Sequence, residues 1–360
     1  MFAWRMTRPS EPIWLTCRPP VGRPRFIRRA NVHNGFSAAY RRSPQAAIVG
    51  NTVCVRFCYP PHSALTAMSD VSNWRELYPF KSHYADISGR RMHYLDEGSG
   101  PPLLMVHGNP TWSFYWRNLV IAFRNRYRVI VPDHIGCGLS EMPTAGNYDY
   151  RLASRIADLS SLVERLDLQD VTLLAHDWGG GIGMGTAVRT PTRYRRFVLF
   201  NTAAFTGGRC PLRIRVCRIP LLGELGVQGL NLFAGAAVKM AVCRRERMTP
   251  QVRAGLLAPY DSWAHRLAVH RFVADIPLSS SHPSYSTLRE IEDGLGQFRN
   301  HPVCLVWGMR DWCFTPKFLG RFLDFFPEAV VHRLDQAGHY VIEDAHEEIL
   351  PLVEEFLGRT

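Results

Sequence analysis

Short apolar runs recur along the chain at residues 91–95, 103–106, 129–131, 171–175, 197–200, 303–307 and 330–334. They are too short for helices and rich in Val, Leu and Ile, as strands buried on both faces are. Helical spacing lies between most of them. In 152–166, for example, Leu152, Ile156, Leu159, Val163 and Leu166 fall on one face. This strand–helix alternation predicts an α/β fold, a mostly parallel twisted sheet flanked by helices. Between 205 and 293 the strand rhythm stops, and helix-like pieces with Pro and Gly breaks take over. That interval predicts a helical cap inserted between two halves of a core, 68–204 and 294–360.

The first 67 residues follow neither period. They contain eight Pro and repeated Arg-Pro steps, a composition that cannot bury enough apolar surface to offset the entropy of ordering. Disorder is the expectation for 1–67. Composition changes abruptly at Met68, so a start there, with 1–67 untranslated, is preferred to a functional basic arm or a transit peptide.

Charge sharpens this division. The chain carries 43 Lys+Arg against 31 Asp+Glu, a net +12. Ten Arg and one acid, Glu11, lie within 1–67, so the tail holds +9 and the remaining chain +3. The near-neutral body therefore gives no reason to expect a nucleic acid partner. Length is ample for a sizeable core, and no apolar run reaches the eighteen residues of a membrane span. Nine Cys without a CxxC pair predict neither a disulfide framework nor a structural zinc site, and point to reduced thiols in a cytoplasmic setting.

The sharpest chemical feature is Val171-Thr-Leu-Leu-Ala-His-Asp-Trp-Gly-Gly-Gly. An apolar strand ends in Asp177, with Ala175 two residues before and Gly179 two after. Small neighbours at those places permit the sharp strand-to-helix turn that exposes a nucleophile. A carboxylate is already ionised at neutral pH and needs no base to activate it. The plain alternative is that Asp177 caps the following helix. Two other strand ends shift that balance. His107-Gly-Asn places the Asn109 backbone N–H to complete an oxyanion hole with that of Trp178, and Asp311 and His339 follow two later strands. The order Asp177, Asp311, His339 is nucleophile, acid, base, as in α/β-hydrolases. His107, His134 and His176 show no metal-ligand spacing and read as hydrogen-bonding scaffold, so no metal is expected. Glu343 and Asp344 read as acids favouring the start of the last helix.

With these residues in view, 81–357 resembles the haloalkane dehalogenases of the α/β-hydrolase superfamily. The matching segments are His107-Gly-Asn-Pro-Thr-Trp, Pro132-Asp-His-Ile-Gly-Cys-Gly-Leu-Ser, His176-Asp-Trp-Gly-Gly, Gly308-Met-Arg-Asp and Ala337-Gly-His-Tyr-Val-Ile-Glu-Asp. Ala258-Pro-Tyr-Asp-Ser-Trp and Arg271-Phe-Val-Ala-Asp-Ile-Pro look like family cap segments. The resemblance implies a subfamily whose acid is Asp311, since Asn201 stands where another subfamily has Glu. It further implies attack by Asp177 on a carbon bearing halogen, halide held by the side-chain N–H groups of Asn109 and Trp178, and ester hydrolysis by water that His339 activates. The expected partner is a small uncharged substrate that yields halide; no cofactor, nucleic acid or membrane insertion is expected, and oligomeric state is left open. Three other readings stand beside it. β-Lactone decarboxylases of hydrocarbon biosynthesis resemble this subfamily and share its residue set. Epoxide hydrolases would need cap tyrosines, for which Tyr260 and Tyr285 are candidates. A ligand-binding receptor built on the scaffold is the non-enzymatic reading.

Overall fold

The structure is a computed structural model that describes residues 73–208 and 210–359, and ahead of them two strands, Ala47–Val49 and Thr52–Cys54. These two pair antiparallel, Ala47 opposite Cys54 and Val49 opposite Thr52. The rest of 1–67, and the start at Met68, lie outside the described residues.

Eight strands form the sheet that organises 73–359: β1 (Ser82–Ile87), β2 (Arg90–Glu97), β3 (Pro102–Val106), β4 (Arg128–Pro132), β5 (Val171–Asp177), β6 (Tyr194–Thr202), β7 (Val303–Gly308) and β8 (Val330–Leu334). Their order across the sheet is β8-β7-β6-β5-β3-β4-β2-β1. Only β2 runs against its neighbours, pairing antiparallel with both β1 and β4. The sheet is the predicted one plus β1, which the periodicity missed. Ser82-His-Tyr-Ala-Asp-Ile is largely polar and exposed at the sheet edge, so it carries no apolar run.

Alternate residues of each central strand go to opposite faces, as the two-residue period requires. Leu104, Leu173, Phe197 and Leu305 join one core cluster with Ile156 and Leu159 of helix α1 (Leu152–Arg165) and Ile182 of α2 (Trp178–Arg189). Leu103, Leu174, Val198 and Val306 join the other, against Leu119 and Val120 ahead of β4 and Ile349 and Val353 of the last helix. Each such buried side chain contributes about 1.5–3 kcal/mol relative to exposure.

Among the described residues between β6 and β7 the regular structure is helical, with no strand. They include α3 (Leu212–Val216), α4 (Leu232–Met240), α5 (Pro250–Leu257), α6 (Leu267–Ala274) and α7 (Tyr285–Gly294). One boundary differs from expectation. Ile291 of α7 belongs to the core cluster that holds Ile156, so this helix lies in the core layer although it precedes 294.

Candidate active site

The groups singled out in the sequence converge at the carboxyl ends of parallel strands, where ligands of such sheets bind. Asp177 closes β5 with φ 54° and ψ −128°, a backbone that exposes its side chain beside the first turn of α2. The side chain does not make the hydrogen bond to the second or third helical N–H that an N-cap residue makes. Instead Oδ1 accepts the Asn109 backbone N–H at 2.5 Å, and the carboxylate also accepts the Trp178 N–H. The turn leaves no room for larger neighbours. A Cβ on Gly108 would collide with the Asp177 carboxylate, and one on Gly179 would collide with the Val106 carbonyl oxygen.

His339 follows β8, with Nε2 3.6 Å from Asp177 Oδ2. Its Nδ1–H donates to Asp311 Oδ2 at 2.9 Å, and Asp311 Oδ1 accepts the Cys313 N–H at 2.6 Å. Burial disfavours the imidazolium, but the Asp311 charge and hydrogen bond, aided by Asp177, overcome this and raise His339 above the ordinary histidine value. Burial also raises the Asp177 carboxyl above the usual aspartate value, against the opposing pull of His339 and the two backbone N–H groups. Asn201 is fully buried and exchanges two hydrogen bonds with the Gly308 backbone, at 3.0 and 2.7 Å. It ties β6 to β7, and Asp311 is the residue on His339.

A family model described as the alpha/beta hydrolase fold matches residues 101–215. Along 288 residues, 79% of this chain and 90% of the relative, the chain is 43% identical to a cis-3-alkyl-4-alkyloxetan-2-one decarboxylase of Shewanella oneidensis. The chain belongs to the α/β-hydrolase family. Within it, haloalkane dehalogenase 2 of Mycobacterium bovis is 34% identical over 79% of this chain and 97% of its own length. In fold, the haloalkane dehalogenase DatA of Agrobacterium tumefaciens C58 superposes with a TM-score of 0.69, at 23% identity, over 78% of this chain and 96% of that one.

Above Asp177 this α/β-hydrolase encloses a cavity of about 460 Å³. Asp177, Asn109, Trp178 and His339 line it together with apolar side chains that include Phe205, Ile214, Leu222, Phe233, Leu278 and Phe318. Such a chamber suits a hydrocarbon-rich ligand. Asn109 Nδ2 donates one hydrogen to the Val269 carbonyl at 3.1 Å, so the amide supplies one remaining N–H rather than two. The Trp178 indole packs on Phe272 of α6, ring centroids 5.3 Å apart. The two tyrosines of the epoxide reading do not line the cavity: the Tyr260 hydroxyl is buried and donates to the Thr111 carbonyl at 3.2 Å.

The histidines near the site form scaffold bonds, as their spacing indicated. His134 donates from Nε2 to the His107 carbonyl at 2.9 Å, and burial lowers both rings below the ordinary value, which keeps them neutral. Among the described residues no group of three His, Cys, Asp or Glu could hold a metal ion.

Spacing alone did not reveal how His339 is held. His176 donates from Nε2 to the His339 carbonyl at 2.8 Å. Asp344 accepts N–H bonds from Gly338 at 2.7 Å, from Cys243 at 3.0 Å and from Arg244 at 2.8 Å, and the Tyr340 N–H reaches the Ala241 carbonyl at 2.8 Å. The histidine loop is thus fastened to the insertion on both sides. Glu343 forms a buried double hydrogen bond with Arg117, at 2.5 and 2.8 Å. Both acids sit in the first turn of the last helix, as expected, and they also act as tertiary clamps. Asp344 reaches Cys243 and Arg244 about a hundred residues away in sequence, and Glu343 reaches Arg117 farther off still.

Proposed function

We propose that the chain decarboxylates β-lactones that carry two alkyl chains, releasing an alkene and carbon dioxide. The observation that carries this reading is the 43% identity to the Shewanella decarboxylase, against 34% to the mycobacterial dehalogenase. The expectation of carbon–halogen hydrolysis thereby becomes the second reading. A largely apolar cavity with Asp177, Asn109, Trp178 and His339 in its wall supports the same view.

The chemistry uses groups already described. An Asp177 carboxylate oxygen attacks ring carbon C4, and the C4–O1 bond breaks, leaving an alkyl ester on the enzyme and a free carboxylate on C3. Negative charge grows on the departing oxygen, where side-chain N–H groups of Asn109 and Trp178 stabilise it. The C3–C2 bonding pair then becomes the C3=C4 π bond as carbon dioxide leaves, and Asp177 is expelled as carboxylate. Displacement inverts C4 and anti elimination follows, so a cis lactone gives a cis alkene. No water is consumed. Imidazolium character on His339 holds Asp177 in place and eases its departure.

The Asp311–His339 pair favours the second reading, because decarboxylation needs no base, whereas hydrolysis of an alkyl ester does. The deciding experiment incubates the full chain with a cis-3,4-dialkyl β-lactone and, separately, with 1-bromoalkanes. Gas chromatography should show cis alkene, and halide release should be at least about a hundredfold slower, a gap of nearly 3 kcal/mol in barrier. Faster halide release without alkene overturns the proposal in favour of dehalogenation.

A further inference from the structure

The segment between β6 and α5 places leucines where water is. Leu212, Leu221 and Leu230 are 76, 72 and 72% exposed, and Leu222, Leu225 and Leu232 exceed 55%. Single exposed leucines are ordinary, but a cluster of this kind marks a contact surface. Leu221 is further held at φ 63°, a left-handed backbone that a bulky side chain adopts only at a cost in conformational energy. The adjoining Leu225–Gly229 turn is a π-helix, a form associated with function rather than stability.

Charge selects the partner. The exposed charged side chains of 211–240 are Arg213, Arg215 and Lys239; the lone acid there, Glu224, is half-buried. Large apolar side chains interleaved with cations match the interface of an anionic bilayer, where leucine enters the acyl boundary and arginine meets headgroup phosphate. This face also borders the cavity. Arg213, Leu222 and Leu232 are exposed yet line the chamber above Asp177, so one layer of side chains separates it from the outside.

We propose that this apolar, cationic face of the insertion docks reversibly on an anionic lipid surface, with the cavity opening toward it. Docking of this kind requires no spanning helix, and among the described residues none is long and apolar enough to span. It would let a two-chain lactone pass from lipid to Asp177 without crossing water, a consequence that rests on the decarboxylase reading; the docking itself does not.

The test is flotation of the full chain with vesicles of phosphatidylcholine, with or without phosphatidylglycerol. The protein should float with the anionic vesicles, less with the zwitterionic ones, and less again at high salt. Leu221→Asp with Leu225→Asp, at two positions outside the cavity wall, should weaken flotation at least about tenfold. The pair should keep its melting temperature and its turnover of a dispersed short-chain substrate. Arg215→Glu with Lys239→Glu should also weaken flotation about tenfold or more without touching packing, which covers the case of a leucine pair that fails to fold. Flotation undiminished in both folded pairs overturns the proposal and assigns lipid binding to the basic residues of 1–67. Failure of the unaltered protein to float overturns it as well, as does a wild-type oligomer that the leucine pair dissociates in place of vesicle binding. Because flotation is read without turnover, absence of alkene would remove the decarboxylase reading alone.

Discussion

Leucine behaves in opposite ways in the sheet and in the insertion. Leu103, Leu104, Leu173 and Leu174 are wholly buried, whereas Leu212, Leu221 and Leu230 are 72% exposed or more. In the sheet, strand alternation sends neighbouring residues to two closed clusters, and the strand ends then gather Asp177, Asp311 and His339 into one chain of neighbours. In the insertion, short helices turn leucine toward both the cavity and the outside. One region uses apolar surface to fix geometry; the other uses it to meet apolar molecules. A substitution in the core should therefore act on turnover or stability, and one in the insertion on which molecules are met.

The largest expected effect sharpens the core side of this contrast. Asp177→Asn should lower turnover by about 10⁴-fold or more while the protein melts at a similar temperature, since an amide is a far poorer nucleophile. Alkene release at the wild-type rate from this variant, with its mass verified and deamidation excluded, would remove Asp177 as the nucleophile.

A matched pair of leucine substitutions comes next. Leu173→Ala should cost about 2–5 kcal/mol of stability, because it opens a cavity between β5 and α2. Leu230→Ala should change stability by less than about 0.5 kcal/mol. Equal shifts in a denaturant titration of the two proteins would break the contrast between regions.

His339→Gln separates the two chemistries within the core. Alkene formation should fall by about 10–100-fold, since no base is needed, while hydrolysis of a bromoalkane should stop after one displacement and leave an ester on Asp177. Intact-mass spectrometry reads that ester directly. The pH profile carries the same distinction. Neutral His339 accumulates only as pH rises through its raised value, so hydrolysis should climb across that window. Alkene formation should not rise there. It should fall on acidification as Asp177 takes up its proton, at a higher pH than an ordinary aspartate would require. An alkene rate that climbs in step with neutral His339 would give the imidazole a base role in decarboxylation.

The smallest effect belongs to the insertion. Ala237 lines the cavity on α4, and Ala237→Phe should reduce kcat/KM for long-chain substrates about tenfold, with little change for short ones. Equal losses for every chain length would mean that this wall does not set substrate length.

Much of the core was legible because buried parallel strands write themselves as apolar runs and because the elbow demands small residues at set places. The predicted helix from Leu152 matches α1 within a residue, and Asp177, Asp311 and His339 meet as their order implied. The edge strand β1 was hidden because exposure leaves its composition polar. Asp344, Glu343 and His176 carried no signal of their clamping roles, since hydrogen bonds between residues distant in the chain have no period to detect. Proximity across the fold likewise decided that Asn201 bridges backbone while Asp311 orients the histidine, and that Tyr260 turns away from the cavity.

Sequence by itself thus determined the α/β-hydrolase core and which strand-end side chains, Asp177, Asp311 and His339, it brings together, because strand periodicity and the sterics of a tight turn are local constraints. Only the tertiary structure decided how the His339 loop is fastened to the insertion, what walls the cavity presents and which leucines face outward. Those are settled by the packing of helices too short to carry a readable period, against surfaces that come from elsewhere in the chain.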